Sequence, residues 1–220
     1  MQSFNASYTG LRGDLLKYIK NKDNVILDVG CATGENGAYL LRNRLAKEVY
    51  GIEFGEGMVY EASHKINKVF HGDLNELSFR QKVVDESPLF DYILFGDILE
   101  HLVYPEHVFK DICKLLKPDG KVVISVPNIS HIELFIQVYI KGTWPLNSRG
   151  IFDKTHLRWF TKKDICGLMR NCGIKVVKYE RKLRARDSLN STFNLKYKLI
   201  KMINKDWVTF QHILVGTSEQ

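Results

Sequence analysis

The 220 residues predict an α/β fold, a parallel sheet with helices on both faces. Three observations point there. Apolar runs of strand length, Val25–Val29, Glu48–Glu53, Phe90–Phe95 and Lys121–Val126, alternate with stretches of helical periodicity. The first run passes directly into a glycine turn, Gly30-Cys31-Ala32-Thr33-Gly34. Gly30, Glu53, Asp73 and Gly96 each fall at the carboxyl end of a strand, where sheets of this kind open their binding crevice.

Composition narrows the class. Hydrophobic residues make up 45% and charged residues 26%, the balance of a globular protein with one good core, read as a single domain over 1–220. No apolar run approaches the roughly 20 residues a membrane-crossing helix needs. Met1–Arg12 lacks a signal-peptide core, so the expected location is the cytoplasm. Cys31, Cys113, Cys166 and Cys172 match no zinc spacing and read as reduced thiols. The net charge of +7 is uneven: residues 1–140 carry 15 Lys and Arg against 19 Asp and Glu, residues 141–220 carry 17 against 6. A basic final third suits an anionic acceptor, a nucleic acid or a membrane surface.

In chain order, residues 1–22 form a cap segment with a short amphipathic helix over Asp14–Lys20, Leu15, Leu16 and Ile19 on one side. Val25–Val29 is apolar without alternation, as in a strand buried on both faces. A helix follows over Asn36–Leu45. The turn between them lets a ligand lie against bare backbone, and the helix N-terminus offers N–H groups. A dinucleotide would need G-x-G-x-x-G, and Gly37 falls one residue beyond a third match. Asp28 would repel phosphate and suits a cationic ligand without one. The second strand ends on Glu53, 25 residues after Asp28, placed to accept from two ribose hydroxyls.

Glu56–His64 reads as a helix, Phe70–His71 as a short strand entering Gly72-Asp73, and residues 75–89 as a loop. Asp91 opens the fourth strand in a structural role. Pro105–Leu116 is helical, and Lys117-Pro118-Asp119-Gly120 is a turn with Gly120 at positive φ. Pro127 stops the fifth strand. Ile132–Ile140 is a hydrophobic helix, and residues 141–149 form a loop with Trp144. Thr161 caps a helix ending at Gly173. Ile174–Tyr179 is strand six, 180–192 a mobile basic stretch, Phe193–Asn204 an amphipathic helix and Val208–Val215 the last strand.

Asp28, Gly30, Ala32 and Gly34 stand as in the first motif of the class I S-adenosylmethionine-dependent methyltransferases, which this chain resembles over about residues 20–180 and its final strand. Glu100-His101-Leu102 resembles a segment found after strand four in a large subset of these enzymes, and Ile151–Thr161 is similar to a segment in methyltransferases of glycan and secondary-metabolite pathways, type 11/12-like. The resemblance implies a Rossmann-like seven-stranded sheet, mostly parallel, with an antiparallel last strand between the fifth and sixth. It implies S-adenosyl-L-methionine as cofactor, at Asp28, Gly30, Cys31, Ala32, Gly34, Glu53, Phe54, Asp73, Leu74, Gly96 and Asp97. Asp73 would accept from the adenine amino group and Leu74 flank the ring. The N-terminal helix, with Tyr8, would cover the cofactor, and residues 128–160 would build the acceptor pocket.

The reaction expected is O-methylation of a small-molecule or glycan hydroxyl, with a histidine as base. His101, His131 and His156 are the candidates, and the catalytic assignment goes to His156, beside Asp153, Thr155 and Arg158, and to His101. Glu100 with His101 offers two metal ligands, too few for a site, so no metal is expected. Trp144 suits stacking on an acceptor, Trp159 core packing, and Arg149 and Arg158 either phosphate binding or salt bridges. The rival readings are a nucleic-acid methyltransferase, although the Asn-Pro-Pro-aromatic motif of amino-methylating enzymes is absent, a non-catalytic binding protein of the same fold, and a dehydrogenase.

Overall fold

A computed structural model describes residues 10–184 and 199–219. The expectations for Tyr8, for 185–192 and for the helix from Phe193 to residue 198 lie outside the described residues; 199–203 are helical. Seven strands make one sheet: β1 (Asn24–Val29), β2 (Ala46–Glu53), β3 (Lys68–His71), β4 (Phe90–Gly96), β5 (Leu116–Pro127), β6 (Ile174–Lys182) and β7 (Gln211–Ser218). Their order is β3-β2-β1-β4-β5-β7-β6. The pairs from β3 to β5 are parallel, and β7 runs antiparallel between β5 and β6. This is the Rossmann-like sheet the resemblance implies.

Alternation along β1 sorts the core into two layers, because successive side chains leave opposite faces. Val25, Leu27 and Val29 share one core layer with Val83 of α4 (Leu77–Glu86), Val108, Phe109 and Ile112 of α5 (Pro105–Cys113), and Ile165, Leu168 and Met169 of α7 (Lys162–Asn171). Ile26 meets Leu15 and Leu16 of α1 (Gly13–Leu16), Leu40 of α2 (Glu35–Arg42) and Ala62 of α3 (Glu56–Ser63). All six residues of β1 are buried, Asp28 included.

Two expectations need correction. Residues 75–89 are not a loop: α4 occupies ten of them, its buried side reduced to Arg80 and Val83, too sparse a stripe to read as a helical period. Lys117–Gly120 is no turn ahead of a strand but a register shift inside β5, between the pairs Phe90–Leu116 and Tyr92–Lys121. Gly120 does not have positive φ. It is needed for space, since a Cβ there would lie 2.8 Å from Leu116 Cδ1 and 2.9 Å from the Phe90 carbonyl oxygen.

Asp91 is structural as expected, accepting from the Val25 amide at 2.8 Å and from Lys117 at 2.8 Å. Thr161 and Asp164 close a reciprocal capping box on α7. After β5 the chain runs through α6 (Ile132–Phe135), continues as a π-helical turn to Ile140, and folds back so that residues 157–158 hydrogen-bond to the start of the segment after β4.

Candidate active site

Parallel register brings the carboxyl ends of β3, β2, β1 and β4 to one edge, and every sequence-predicted cofactor residue lies there. The turn after β1 holds Gly30 at φ +73°, Ala32 at +47° and Gly34 at +78°. A Cβ on Gly34 would sit 3.1 Å from the Cα of Ala62, and one on Gly30 3.0 Å from Ile98 Cδ1, so the turn is pressed against α3 on one side and the segment after β4 on the other. Four of its five amides are committed. Those of Gly30 and Cys31 donate to the Ile52 carbonyl, that of Gly34 to the Cys31 carbonyl, and that of Ala32 to Glu53 Oε2 at 3.0 Å. The N–H groups expected at the helix N-terminus belong to the start of α2 and are a separate set. A turn with four donors engaged favours a phosphate-free, cationic nucleoside lying on carbonyls and Cα atoms over a pyrophosphate.

Asp28 is 3% exposed at the end of β1. Burial raises its carboxyl to about 7; the nearby Glu53 charge adds to this, while the Asn36 hydrogen bond at 3.3 Å and the Arg12 charge oppose it. Such a group gains from a cationic neighbour. Glu53 reaches back over the turn, its Oε1 accepting from the Phe54 and Gly55 amides at 2.9 and 2.8 Å. The Phe54 ring is exposed beside it. Gly72 N donates to the Glu53 carbonyl, which ties the end of β3 to this corner. Asp73 Oδ1 accepts from the backbone and side chain of Asn75, and Leu74 is buried. Cys31 is a packing residue: burial pushes its thiol well up, and its sulfur fills the space a Cβ on Gly51 would need.

Asp97, at the end of β4, sits at φ +56°. Its carboxylate takes the Arg12 guanidinium at 2.6 Å, Ser125 Oγ at 2.6 Å and Gln211 Nε2 at 2.8 Å. Arg12 also binds Asp14 and, through its amide, Asn36 Oδ1. Sequence reasoning missed Arg12, Asn36, Ser125 and Gln211. The signal for Arg12 was a lone cation just before the cap helix; nothing in the sequence announces the other three.

On the other flank of Gly96, the 3-10 turn Leu99–His101 carries Glu100 inward, 1% exposed. The returning segment brings His156, whose Nε2 lies 4.0 Å from Glu100 Oε1. The His101 and His156 rings meet edge to face at 4.8 Å. Asp153 Oδ1 accepts from the Thr155 amide at 2.9 Å and from its hydroxyl at 2.7 Å. Burial holds the Glu100 carboxyl well above its ordinary value and lowers both imidazoles, His156 further through His101. His131 drops out as a base, because its Nδ1 accepts the Glu133 amide as the cap of α6. Trp159 is 47% exposed and edge-on to Trp144 at 5.9 Å, not in the core. Arg158 donates to the carbonyls of Leu157 and Val103, while Arg149 is exposed.

Residues 5–179 match the family model of the methyltransferase domain. The chain belongs to that methyltransferase-domain family. The ubiquinone biosynthesis O-methyltransferase of Nitrosococcus oceani is 34% identical over 118 residues, 51% of this chain and 49% of that protein. The demethylmenaquinone methyltransferase of Bacillus cytotoxicus is 30% identical over 142 residues, 59% and 56%. The chain thus spans about half the length of the curated relatives it matches. The TehB-like S-adenosylmethionine-dependent methyltransferase of Corynebacterium glutamicum shares the fold with TM-score 0.57 at 16% identity, over 93% of this chain and 85% of that one. The [4+2]-cyclase SpnF does so with TM-score 0.63 at 17%, over 93% and 79%, a reminder that this fold does not dictate one reaction.

Proposed function

We propose that the chain methylates the hydroxyl of a small molecule or glycan. The observation that carries this is the Glu100, His101 and His156 cluster, set immediately after the β4 end that helps frame the cofactor crevice. The O-methylating activity in the name of the Nitrosococcus oceani relative supports the same reading.

The cofactor fits the turn for the reasons of donor occupancy and acidity given above. Gly30, Cys31, Ala32 and Gly34 would underlie it, Asp28 would face its ammonium, and Arg12 would face its carboxylate. Glu53 Oε2 keeps one lone pair for a ribose hydroxyl beside Phe54, because each carboxylate oxygen has two and Oε1 already accepts from two amides. Asp73 and Leu74 would border the adenine, and Gly96 and Asp97 the reacting end. When bound, the cofactor supplies an electrophilic methyl group on a positively charged sulfur. The protein's part is alignment of the acceptor oxygen and removal of its proton. His156 and His101, neutral through burial, are in the form that takes a proton. Residues 128–160 would shape the acceptor pocket, with Trp144 and Trp159 as stacking surfaces.

A nucleic-acid acceptor is the weaker reading. Part of the basic surface is neutralised internally, as in Arg181–Asp206, Lys182–Asp14 and Arg184–Glu133.

The test is methyl transfer from labelled cofactor to a panel of catechols, sugars and nucleic acids, in the wild type and in His156→Ala. The expected result is label on oxygen of a small acceptor, a variant with wild-type cofactor affinity, and turnover reduced at least about 100-fold. Full activity in the variant removes His156 from the mechanism, and label on nucleic acid alone refutes the acceptor class.

A further inference from the structure

We propose that Glu100, His101 and His156 form a binding site for one divalent transition-metal cation. One ligand atom from each lies within 4.8 Å of the other two. The 4.0 Å between His156 Nε2 and Glu100 Oε1 is too long for a hydrogen bond. It is close to the roughly 3.3 Å edge of a tetrahedron with bonds of about 2.0–2.1 Å, and small side-chain rotations close the difference.

Three further features point to a ligand at this spot. Neither carboxylate oxygen of Glu100 meets a hydrogen-bond partner on another residue among the described residues, although Glu100 is 1% exposed. A buried carboxylate left that way is costly, and a cation beside it offsets the cost. Second, the His101 imidazole is oriented from behind, as metal-bound histidines are. His101 Nδ1 lies 3.1 Å from Thr155 Oγ1, whose hydroxyl proton goes to Asp153 Oδ1 at 2.7 Å. Thr155 therefore accepts from His101, which places the imidazole proton on Nδ1 and the lone pair on Nε2. Third, the site is preformed by backbone. The amides of Leu157 and Arg158 donate to the Glu100 carbonyl at 2.8 and 3.0 Å, clamping the two ligand-bearing segments together.

Two imidazoles and one carboxylate suit Zn²⁺, Co²⁺, Fe²⁺ or Mn²⁺ better than Mg²⁺ or Ca²⁺, which prefer oxygen. Three protein ligands leave a position open to an exogenous oxygen. This deepens the O-methylation reading and, in its catalytic part, rests on it: an acceptor hydroxyl bound there has its pKa lowered and gives its proton to water. His156 then acts as a ligand and not as the proton acceptor.

The experiment uses full-length protein stripped with a chelator and dialysed. Co²⁺ is titrated in with visible d–d absorption as readout, and Zn²⁺ by calorimetry, on wild type, Glu100→Gln, His156→Ala and Thr155→Val. One equivalent should bind to wild type. Affinity should fall at least about 100-fold in the two ligand variants and about tenfold in Thr155→Val. Unchanged S-adenosylhomocysteine binding by all three shows that they are folded. No stoichiometric uptake of either ion by wild type, or equal affinity in Glu100→Gln and His156→Ala, overturns the site. Stoichiometric binding with no transfer to any oxygen acceptor keeps the site and removes the O-methylation reading. His156-dependent O-methylation by a protein that binds no metal does the reverse.

Discussion

Asp28 shows how a single residue trades stability for binding. Its carboxyl is raised from near 4 to about 7, chiefly by burial. A raised carboxyl favours the folded state fully below its unfolded value, and that contribution is lost as pH climbs from about 4 to about 7. In Asp28→Asn this slope should disappear from urea midpoints measured across pH 4–8, leaving the variant more stable than wild type at pH 8. Binding runs the other way. A cationic ligand needs the carboxylate, so wild-type affinity for S-adenosylmethionine should rise up to about tenfold per pH unit below 7 and level off above it, while Asp28→Asn binds weakly at every pH. A wild-type affinity flat from pH 5.5 to 8 would detach Asp28 from the ligand cation. Asp28 was legible in the sequence as an acid interrupting an apolar strand. Its partner Arg12 was not, because the link from Arg12 to Asp97 spans 85 residues and leaves no local pattern.

Elements carry the next scale, and the turn between β1 and α2 is the most constrained. Gly34 has positive φ, and its missing Cβ faces backbone of α3, which cannot rotate away. Gly34→Ala should cost about 1–3 kcal/mol, from left-handed strain and displacement of α3, and weaken cofactor binding. Gly57, in the first turn of α3 itself, has open space and no positive φ. The same substitution there should stabilise by a few tenths up to about 1 kcal/mol. Equilibrium denaturation of the pair checks both signs, and a loss at Gly57 matching that at Gly34 would refute the argument from conformation. The helices α2, α3 and α5 and the cap of α7 were readable from sequence, since capping residues and periodicity act within one or two turns. Helix α4 was not, because its burial depends on Arg80, a cation on the core side that pairs with Asp111 at 3.0 Å and donates to the Leu74 and Asn75 carbonyls.

Across the whole molecule, the segment around α1 meets β6. Leu15, Leu16, Tyr18 and Ile19 are buried against the sheet. Lys182 binds Asp14 at 2.6 Å, and Glu180 on β6 takes both Lys17 and the Tyr18 hydroxyl. Leu15 also lies over Gly96, 3.1 Å from where a Cβ would be. The N-terminal segment is thus a structural cover as well as a wall of the crevice. Removing residues 1–22 should delete four buried apolar side chains, each contributing about 1.5–3 kcal/mol when fully buried, and uncover the sheet face beneath them. The truncated chain should show a much lower urea midpoint and no cofactor binding. A truncated protein with the wild-type midpoint would show that the segment only rests on the surface.

By itself, the sequence determined the α/β class, the parallel half of the sheet and the strand-end positions of Asp28, Gly30, Glu53, Asp73 and Gly96. Strand periodicity, glycine turns and acid placement are local, and a parallel sheet carries the ends of neighbouring strands to one edge. Only the tertiary structure decided that most of the turn's amides are spent, that Arg12 lies across the crevice, and that His156 closes on Glu100 from 56 residues away. Those facts come from contacts between distant segments, whose energies depend on packing that no short stretch of chain encodes.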